Sequence, residues 1–353
     1  MRLKIRARTL LSAVVGASIL LAPMCGALAC TRILWNDNKL AVVVGRTMDW
    51  PESTDPVLTV FPRGKKRDGG RLGSQVVVAV NPARWTSRYG SVVTTIYGVG
   101  TADGVNEKGF AIHMLYLNAT DFGPRDVSRA GVHAGLWGQY LLDNAETVGE
   151  ALALMKALQP VMVTVDGTKA TVHLAIEDAA GDSAIIEYIG GEPIVHHGRQ
   201  FQVMTNDPAY DDQLANLARH DFTNATRQTP LPGNVDPRDR FVRSAYYLQM
   251  LPEPRSQREA IAGILAIARN ASVPFGAPNQ APGALYNTEY RTAIDLTNRR
   301  YFFELTTAPN VIWMDLAKFV LEVGAPVMIL DPDDIDLSGN VSTKFKKAGH
   351  TPF

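Results

Sequence analysis

The stretch FAIHMLYL, residues 110–117, is apolar in both of its alternating sets. Read as a strand, it sends Phe110, Ile112, Met114 and Tyr116 to one face and Ala111, His113, Leu115 and Leu117 to the other, since successive side chains point to opposite sides. A strand with two apolar faces has to be covered on both, which places it inside a layered fold rather than on a wetted surface. Strand-like segments flank it: 30–35 and 39–45, separated by the turn signal Asn36-Asp37-Asn38, then 75–80 and 91–97. Further segments follow at 171–177, 183–189, 202–205, 290–296, 301–305 and 311–313, with Leu296-Thr-Asn-Arg-Arg300 as a hairpin turn between two of them.

Helices are announced by capping boxes. Thr147-Val-Gly-Glu150 precedes the stripe Val148, Ala151, Leu152, Met155, and Ser256-Gln-Arg-Glu259 precedes Ile261, Ile264, Leu265, Ala268. Both stripes read as core contacts. Strands in runs joined by short turns, with helices clustered between them, indicate an antiparallel α+β layered fold rather than a doubly wound one. The chain has no internal repeat, low-complexity segment or clear linker, so one domain over residues 30–353 is expected.

The 353 residues are 46% hydrophobic and 20% charged, ample for a large core. Formal charge is zero, but Arg2, Lys4, Arg6 and Arg8 lie in an N-terminal leader; without these four of the 35 basic residues, 31 remain against 35 acidic. A mildly acidic protein is a poor partner for nucleic acid. The run Arg63-Gly-Lys-Lys-Arg67 reads as a solvated hairpin loop. No segment after the leader approaches the roughly 20 apolar residues of a membrane span. Nucleophile-elbow, phosphate-loop, dinucleotide and zinc-protease motifs are missing, and Asp331–Asp336 lacks the Gly and Glu of a calcium loop, so neither metal nor cofactor is expected.

Residues 1–29 have the three-part layout of a secretory signal: a basic start, an apolar run from Leu10 to Ala22, and Ala27-Leu28-Ala29 before Cys30. Cleavage by signal peptidase after Ala29 would export the protein to the periplasm or beyond, remove Cys25, and leave Cys30 as the only cysteine and first residue. A buried structural cysteine sits poorly at a terminus. A lipid anchor on Cys30, tethering a binding protein, would want Leu and a small residue in the opposite order from Ala27-Leu28. The third reading is an N-terminal nucleophile, whose α-amine, with an ordinary pKa of about 7.7–8.0, takes the thiol proton and passes it to a leaving amine.

VGRTMDW, residues 44–50, then supplies Arg46 and Asp49 at the end of a strand. With Cys30-Thr31, GRTMDW, ADGVNEKGFAI (102–112), TNDPAYDDQLANL (205–217), LPGNVDPRDRFVR (231–243) and YRTAIDLTNRRYFF (290–303), the chain resembles the choloylglycine hydrolases, the conjugated bile-salt hydrolases and penicillin V acylases among the N-terminal nucleophile hydrolases. The resemblance implies a four-layer αββα fold with two stacked antiparallel sheets, and an amidase that cleaves a linear carbon–nitrogen bond of a small-molecule acyl amide. It further implies Cys30 as nucleophile and base, Asp49 as the carboxylate holding the amine, and Arg46 as the guanidinium beside the thiol. Asn206 and the backbone N–H of Tyr116 become the oxyanion donors, and Arg240 a second site arginine. A homotetramer is implied as well. Asp207 stands where the family more often has Ser, and Asn234-Val-Asp-Pro237 where it has a Ser-rich turn. Tyr116 stands where bile-salt-preferring members commonly have Asn and penicillin V acylases Tyr, which tilts the implied preference toward aryl or alkyl acyl chains. Penicillin V-type amides come first, then conjugated bile salts and N-acyl homoserine lactones, with Trp50, Tyr116 and Phe110 as candidate walls of the acyl pocket.

Overall fold

The computed structural model describes residues 29–350 and 353, apart from 166 and 279–284. Of the expected leader, residues 1–28 lie outside the described residues. In chain order the main strands are β1 (Ala29–Trp35), β2 (Val43–Trp50), β3 (Val57–Phe61), β4 (Ser91–Ile96), β5 (Gly100–Asn106), β6 (Ala111–Tyr116), β7 (Val172–Glu177), β8 (Ser183–Ile189), β9 (Glu192–His197), β10 (Val203–Thr205), β11 (Leu285–Asp295), β12 (Arg300–Leu305), β13 (Ile312–Asp315) and β14 (Met328–Leu330). The helices are α1 (Ala134–Asn144), α2 (Val148–Met155), α3 (Tyr210–Leu217), α4 (Pro237–Met250) and α5 (Gln257–Ala271).

Two large sheets result. One runs β10-β1-β2-β11-β12-β13, antiparallel until Gly339–Asn340 adds a parallel pairing at its edge; the other runs β9-β8-β7-β6-β5-β4-β3-β14, antiparallel throughout. Alternation along β6 assigns the layers. Ile112 and Met114 pack with Trp137, Leu141, Val148 and Ala151 of α1 and α2, while Ala111 and Leu115 join the core shared with the first sheet. On the far face of the first sheet Ile33 and Val43 meet Phe241, Ile261 and Ile264 of α4 and α5. The order helices, sheet, sheet, helices bears out the αββα expectation. Gly45 makes the α5 contact close, since a Cβ there would lie 2.4 Å from Ile264 Cγ2.

Between the sheets, apolar packing is interrupted by a buried polar chain. Arg32 of β1 pairs with Glu177 of β7 at 2.5 Å, Glu177 lies 2.7 Å from His113 Nε2 of β6, and His113 Nδ1 is 3.7 Å from Asp103 of β5. Asp103 in turn accepts from Tyr301 Oη at 2.7 Å and Thr292 Oγ1 at 2.6 Å, which returns the chain to the first sheet. Paired this way, the inward charges meet partners that burial demands.

The hydroxyl half of both capping boxes forms, with Thr147 Oγ1 accepting from Glu150 N and Ser256 Oγ from Glu259 N, each at 3.2 Å. The Glu150 and Glu259 carboxylates instead accept the N–H one residue before the cap, of Glu146 and Arg255. Other expectations need correction. β2 starts at Val43 instead of Lys39, because Asn38 Oδ1 takes the N–H groups of Leu40 and Ala41 and Lys39 sits at φ 63°. The strand expected over 75–80 shrinks to Gln75–Val76, since the N–H groups of Val77 and Val78 both turn to the Gly70 carbonyl. The basic run is only in part the solvated loop expected: Arg63 and Lys66 are exposed and residues 63–64 form a turn, but Lys66–Asp68 is a short strand. Arg67 is buried, stacks on Phe61 at 4.1 Å and pairs with Asp143 at 3.1 Å.

Burial of Arg67 has a measurable consequence. Removing one partner of a buried pair costs about 3–5 kcal/mol, whereas a surface change stays within about 0.5 kcal/mol. Arg67→Ala should lower the urea-unfolding free energy by the larger amount; a change under about 1 kcal/mol would restore the solvated reading.

Candidate active site

The alternation of β1 and β2 points Cys30, Arg32, Arg46 and Met48 into the space between the sheets, and Thr31 and Thr47 towards α4. Register places Cys30 opposite Met48 and Arg32 opposite Arg46. Arg46 crosses to the second sheet, where Nη1 donates to the Ala102 carbonyl at 2.9 Å, and its Nη2 lies 3.7 Å from Cys30 Sγ. Met48 Sδ lies 3.8 Å from the same sulfur.

Asp49 follows Thr47 onto the α4 side, and a bulge at Glu289 shifts the register so that Thr288 of β11 stands opposite it. Its carboxylate accepts from Thr47 Oγ1 at 2.9 Å and from Thr288 Oγ1, and lies 3.5 Å from Arg240 Nη1. Burial raises the Asp49 carboxyl above its ordinary range, against the pull of Arg240 and the two threonines.

Arg240 arrives from the first turn of α4, whose start is set by the Asp236 cap and Pro237. Its guanidinium is fully buried. Nη1 donates to the Cys30 carbonyl at 2.7 Å and to Thr31 Oγ1, Nη2 to Asn206 Oδ1 at 3.2 Å, and Nε to the Val235 carbonyl at 2.9 Å. A guanidinium only donates, so Asn206 must turn its oxygen towards it. The Cys30 N–H, here part of the peptide with Ala29, also donates to that oxygen, and Asn206 Nδ2 points the other way to the Tyr116 carbonyl at 2.6 Å.

All five residues expected at the site, Cys30, Arg46, Asp49, Asn206 and Arg240, are thus in one buried cluster, and Tyr116 borders it. Beside the sulfur lies a cavity of about 110 Å³ walled by Met48, Trp50, Ala102, Met114 and Tyr116 among others. The Trp50 and Tyr116 rings meet edge to face at 5.9 Å. Phe110, the third expected wall residue, is elsewhere: it is buried with Val93 and Ile112 in the core beneath α1. Thr288, Met48 and Thr31 escaped the sequence reading, because only strand pairing reveals which residues stand opposite Asp49 and Cys30. No metal-binding group of His, Cys, Asp or Glu occurs among the described residues.

Burial raises the Cys30 thiol pKa, while Arg46, Arg240 and the Asp49 N–H oppose that shift. A cysteine thiol beside a guanidinium, a carboxylate and a side-chain amide, between stacked sheets flanked by helices, is the arrangement of the N-terminal nucleophile hydrolase class. The chain belongs to the linear amide C–N hydrolases of the choloylglycine hydrolase family, whose model matches residues 30–329, and is a hydrolase of linear amide bonds. It is 35% identical over 350 residues, 91% of each chain, to a penicillin V acylase of Pectobacterium atrosepticum. The solved penicillin V acylase of Agrobacterium tumefaciens is 38% identical with a TM-score of 0.80, over 92% of this chain and 98% of that one. A conjugated bile acid hydrolase of Clostridium perfringens shares the fold, with a TM-score of 0.72 at 19% identity, over 88% of this chain and 98% of its own.

Arg46 is the nearest cation to the sulfur, so Arg46→Met should raise the thiol pKa further and deplete the thiolate. Alkylation of Cys30 by iodoacetamide at pH 8 should then slow by about tenfold, the effect of a thiol pKa higher by about one. Arg46→Lys should retain part of the rate. Equal rates in all three proteins would mean that Arg46 does not set the thiol's ionisation.

Proposed function

We propose that the protein is exported to the periplasm or beyond, that signal peptidase removes residues 1–29, and that the freed Cys30 hydrolyses penicillin V-type acyl amides. The α-amine takes the thiol proton, and the sulfur attacks the amide carbon. Asn206 Nδ2 has two N–H groups; one is held by the Tyr116 carbonyl, and the second, with the Tyr116 backbone N–H, receives the oxyanion. The protonated amine then gives its proton to the leaving nitrogen, and water attacks the thioester with the amine again as base. Asp49, one pairing step from Cys30 and opposite Ala29, takes the role of holding that amine once the peptide is cut. In the unprocessed chain the same nitrogen is an amide and cannot act as base.

The observation that carries the substrate assignment is the cavity beside the sulfur. An engineered apolar cavity of about 150 Å³ takes one benzene, so about 110 Å³ between Trp50, Met114 and Tyr116 suits one aromatic ring or a slender alkyl chain. A rigid four-ring steroid is several times larger. Release assays with penicillin V, glycocholate and a long-chain acyl homoserine lactone should therefore rank penicillin V first and glycocholate last; fastest turnover of glycocholate would overturn the assignment.

Oxyanion donors contribute about 10²–10³ in rate each. Asn206→Ala should lower kcat by that factor, and Cys30→Ala should abolish turnover. Mass spectrometry of the exported protein should find an unmodified Cys30 at the N-terminus; a diacylated Cys30 would support a lipid-anchored binding protein in place of an N-terminal nucleophile.

A further inference from the structure

The residue after Asn206 makes contacts that the proposed reaction does not use. The Asp207 carboxylate reaches to the turn that follows β6, where Oδ1 accepts the backbone N–H of Asn118 at 3.1 Å and Oδ2 accepts the Asn118 side-chain amide at 3.1 Å and the same backbone N–H at 3.2 Å. Asn118 Oδ1 accepts in turn from Tyr116 Oη at 3.0 Å. Since Asn206 Nδ2 already holds the Tyr116 carbonyl, the contacts close into a ring: Asn206, Asp207, Asn118, Tyr116 and back to Asn206.

The chemistry of the ring requires an acceptor with two oxygens. Asn118 offers a backbone N–H and a side-chain amide side by side, and an ionised carboxylate is acceptor-only and satisfies both. The surroundings hold the backbone of this segment from behind. Gln213 Nε2 of α3 donates to the carbonyls of Asn206 and Asp207 at 3.3 and 3.2 Å. Burial raises the Asp207 carboxyl above its ordinary range, against the pull of the Asn118 N–H and of His173 of β7, which is itself fixed through Nδ1 by Glu187 at 3.0 Å. Glu187 also takes the Tyr210 N–H at 3.0 Å and so ties the start of α3 to the second sheet.

The β6 end that carries Tyr116 belongs to the second sheet, and Asn206 follows β10 of the first. The Asn206 Nδ2 bond to the Tyr116 carbonyl links the two directly, and the turn beyond Tyr116 is exposed at Asn118. We infer that Asp207 is a positioning residue that grips the Asn118 turn and so fixes Tyr116 relative to Asn206, setting the oxyanion donors and the Tyr116 wall of the acyl cavity together. The inference rests on the proposed oxyanion roles of Asn206 and Tyr116. A displacement of about 1 Å at such donors costs up to a hundredfold in rate.

The test is steady-state kinetics of the processed enzyme on penicillin V, with circular dichroism to set the folded fraction, for Asp207→Ala, Asp207→Asn, Asn118→Ala and the double Asp207→Ala/Asn118→Ala. Asp207→Ala should lower kcat about ten- to a hundredfold with KM within about threefold. Asn118→Ala, which keeps the backbone N–H but loses the side-chain amide and the link to Tyr116, should lose part of that rate. The double variant should fall no lower than Asp207→Ala, because the Asn118 side chain positions Tyr116 only while Asp207 holds it. Asp207→Asn, which keeps one oxygen for the Asn118 N–H, should recover part of the loss. Wild-type kcat in Asp207→Ala, losses that multiply in the double variant, or a loss fully explained by the folded fraction would each overturn the clamp. If Asp207→Ala does not fold, wild-type kcat in both Asp207→Asn and Asn118→Ala overturns it equally. Asn206→Ala serves as the control: if it is silent the oxyanion assignment fails, and if it is costly while Asp207→Ala is silent only the clamp fails.

Discussion

The site depends on one buried cation. Arg240 donates to the Cys30 carbonyl, Thr31, Asn206 and Val235 and faces Asp49, so a single guanidinium ties α4 to β1, β2 and the segment after β10. A charge this deep is tolerable only when its donors are met and an opposite charge is near. That requirement has geometric consequences. Asp49 has to lie on the α4 side, where alternation after Thr47 puts it and the β11 bulge adds Thr288, and Asn206 has to present its oxygen, which sends its nitrogen to Tyr116. Lysine, with a point charge and three donors, could not occupy the same spread of acceptors.

The second constraint is the alternation of β1 and β2. Period two sends Cys30, Arg32, Arg46 and Met48 into the space between the sheets, where two guanidinium groups would be intolerable without anions. Glu177 and Asp103, carried by the opposite sheet and joined through His113, supply them. The polar chain between the sheets and the arginine beside the thiol are therefore parts of one solution. It keeps the two sheets in a defined relation at the point where the site straddles them, since Cys30 and Asn206 come with the first sheet and Tyr116 with the second.

Much of this was legible in the sequence, for physical reasons that differ by element. β6 could be read because both of its faces are apolar, and α2 and α5 because Thr147 and Ser256 are followed at the right spacing by Glu. The site residues were reached through separated motifs that resemble one family, not through periodicity. α4 was missed although Asp236-Pro237 is a sound helix start, because the apolar stripe of that helix is broken by Arg240 and Arg243, whose burial depends on partners far along the chain. Arg67 misled for the same reason: a basic run looks solvated until Asp143 and Phe61 are seen beside it. Phe110 looked like a wall residue, yet strand parity alone cannot distinguish the cavity end of a face from its middle.

The environment of the sulfur bears on why the proposed chemistry would use the chain's own amine. Burial raises the thiol pKa, and Arg46 only partly offsets this, so the site does not hold a standing thiolate in the manner of strongly electropositive cysteine sites. Such a thiol needs a base at the moment of attack, and none of the described histidines contacts Cys30: His113 and His173 are committed to Glu177 and Glu187. The nitrogen nearest to hand is that of Cys30 itself. While it remains the Ala29–Cys30 amide it cannot take a proton, and cutting that bond would supply the missing base without moving any other group in the cluster.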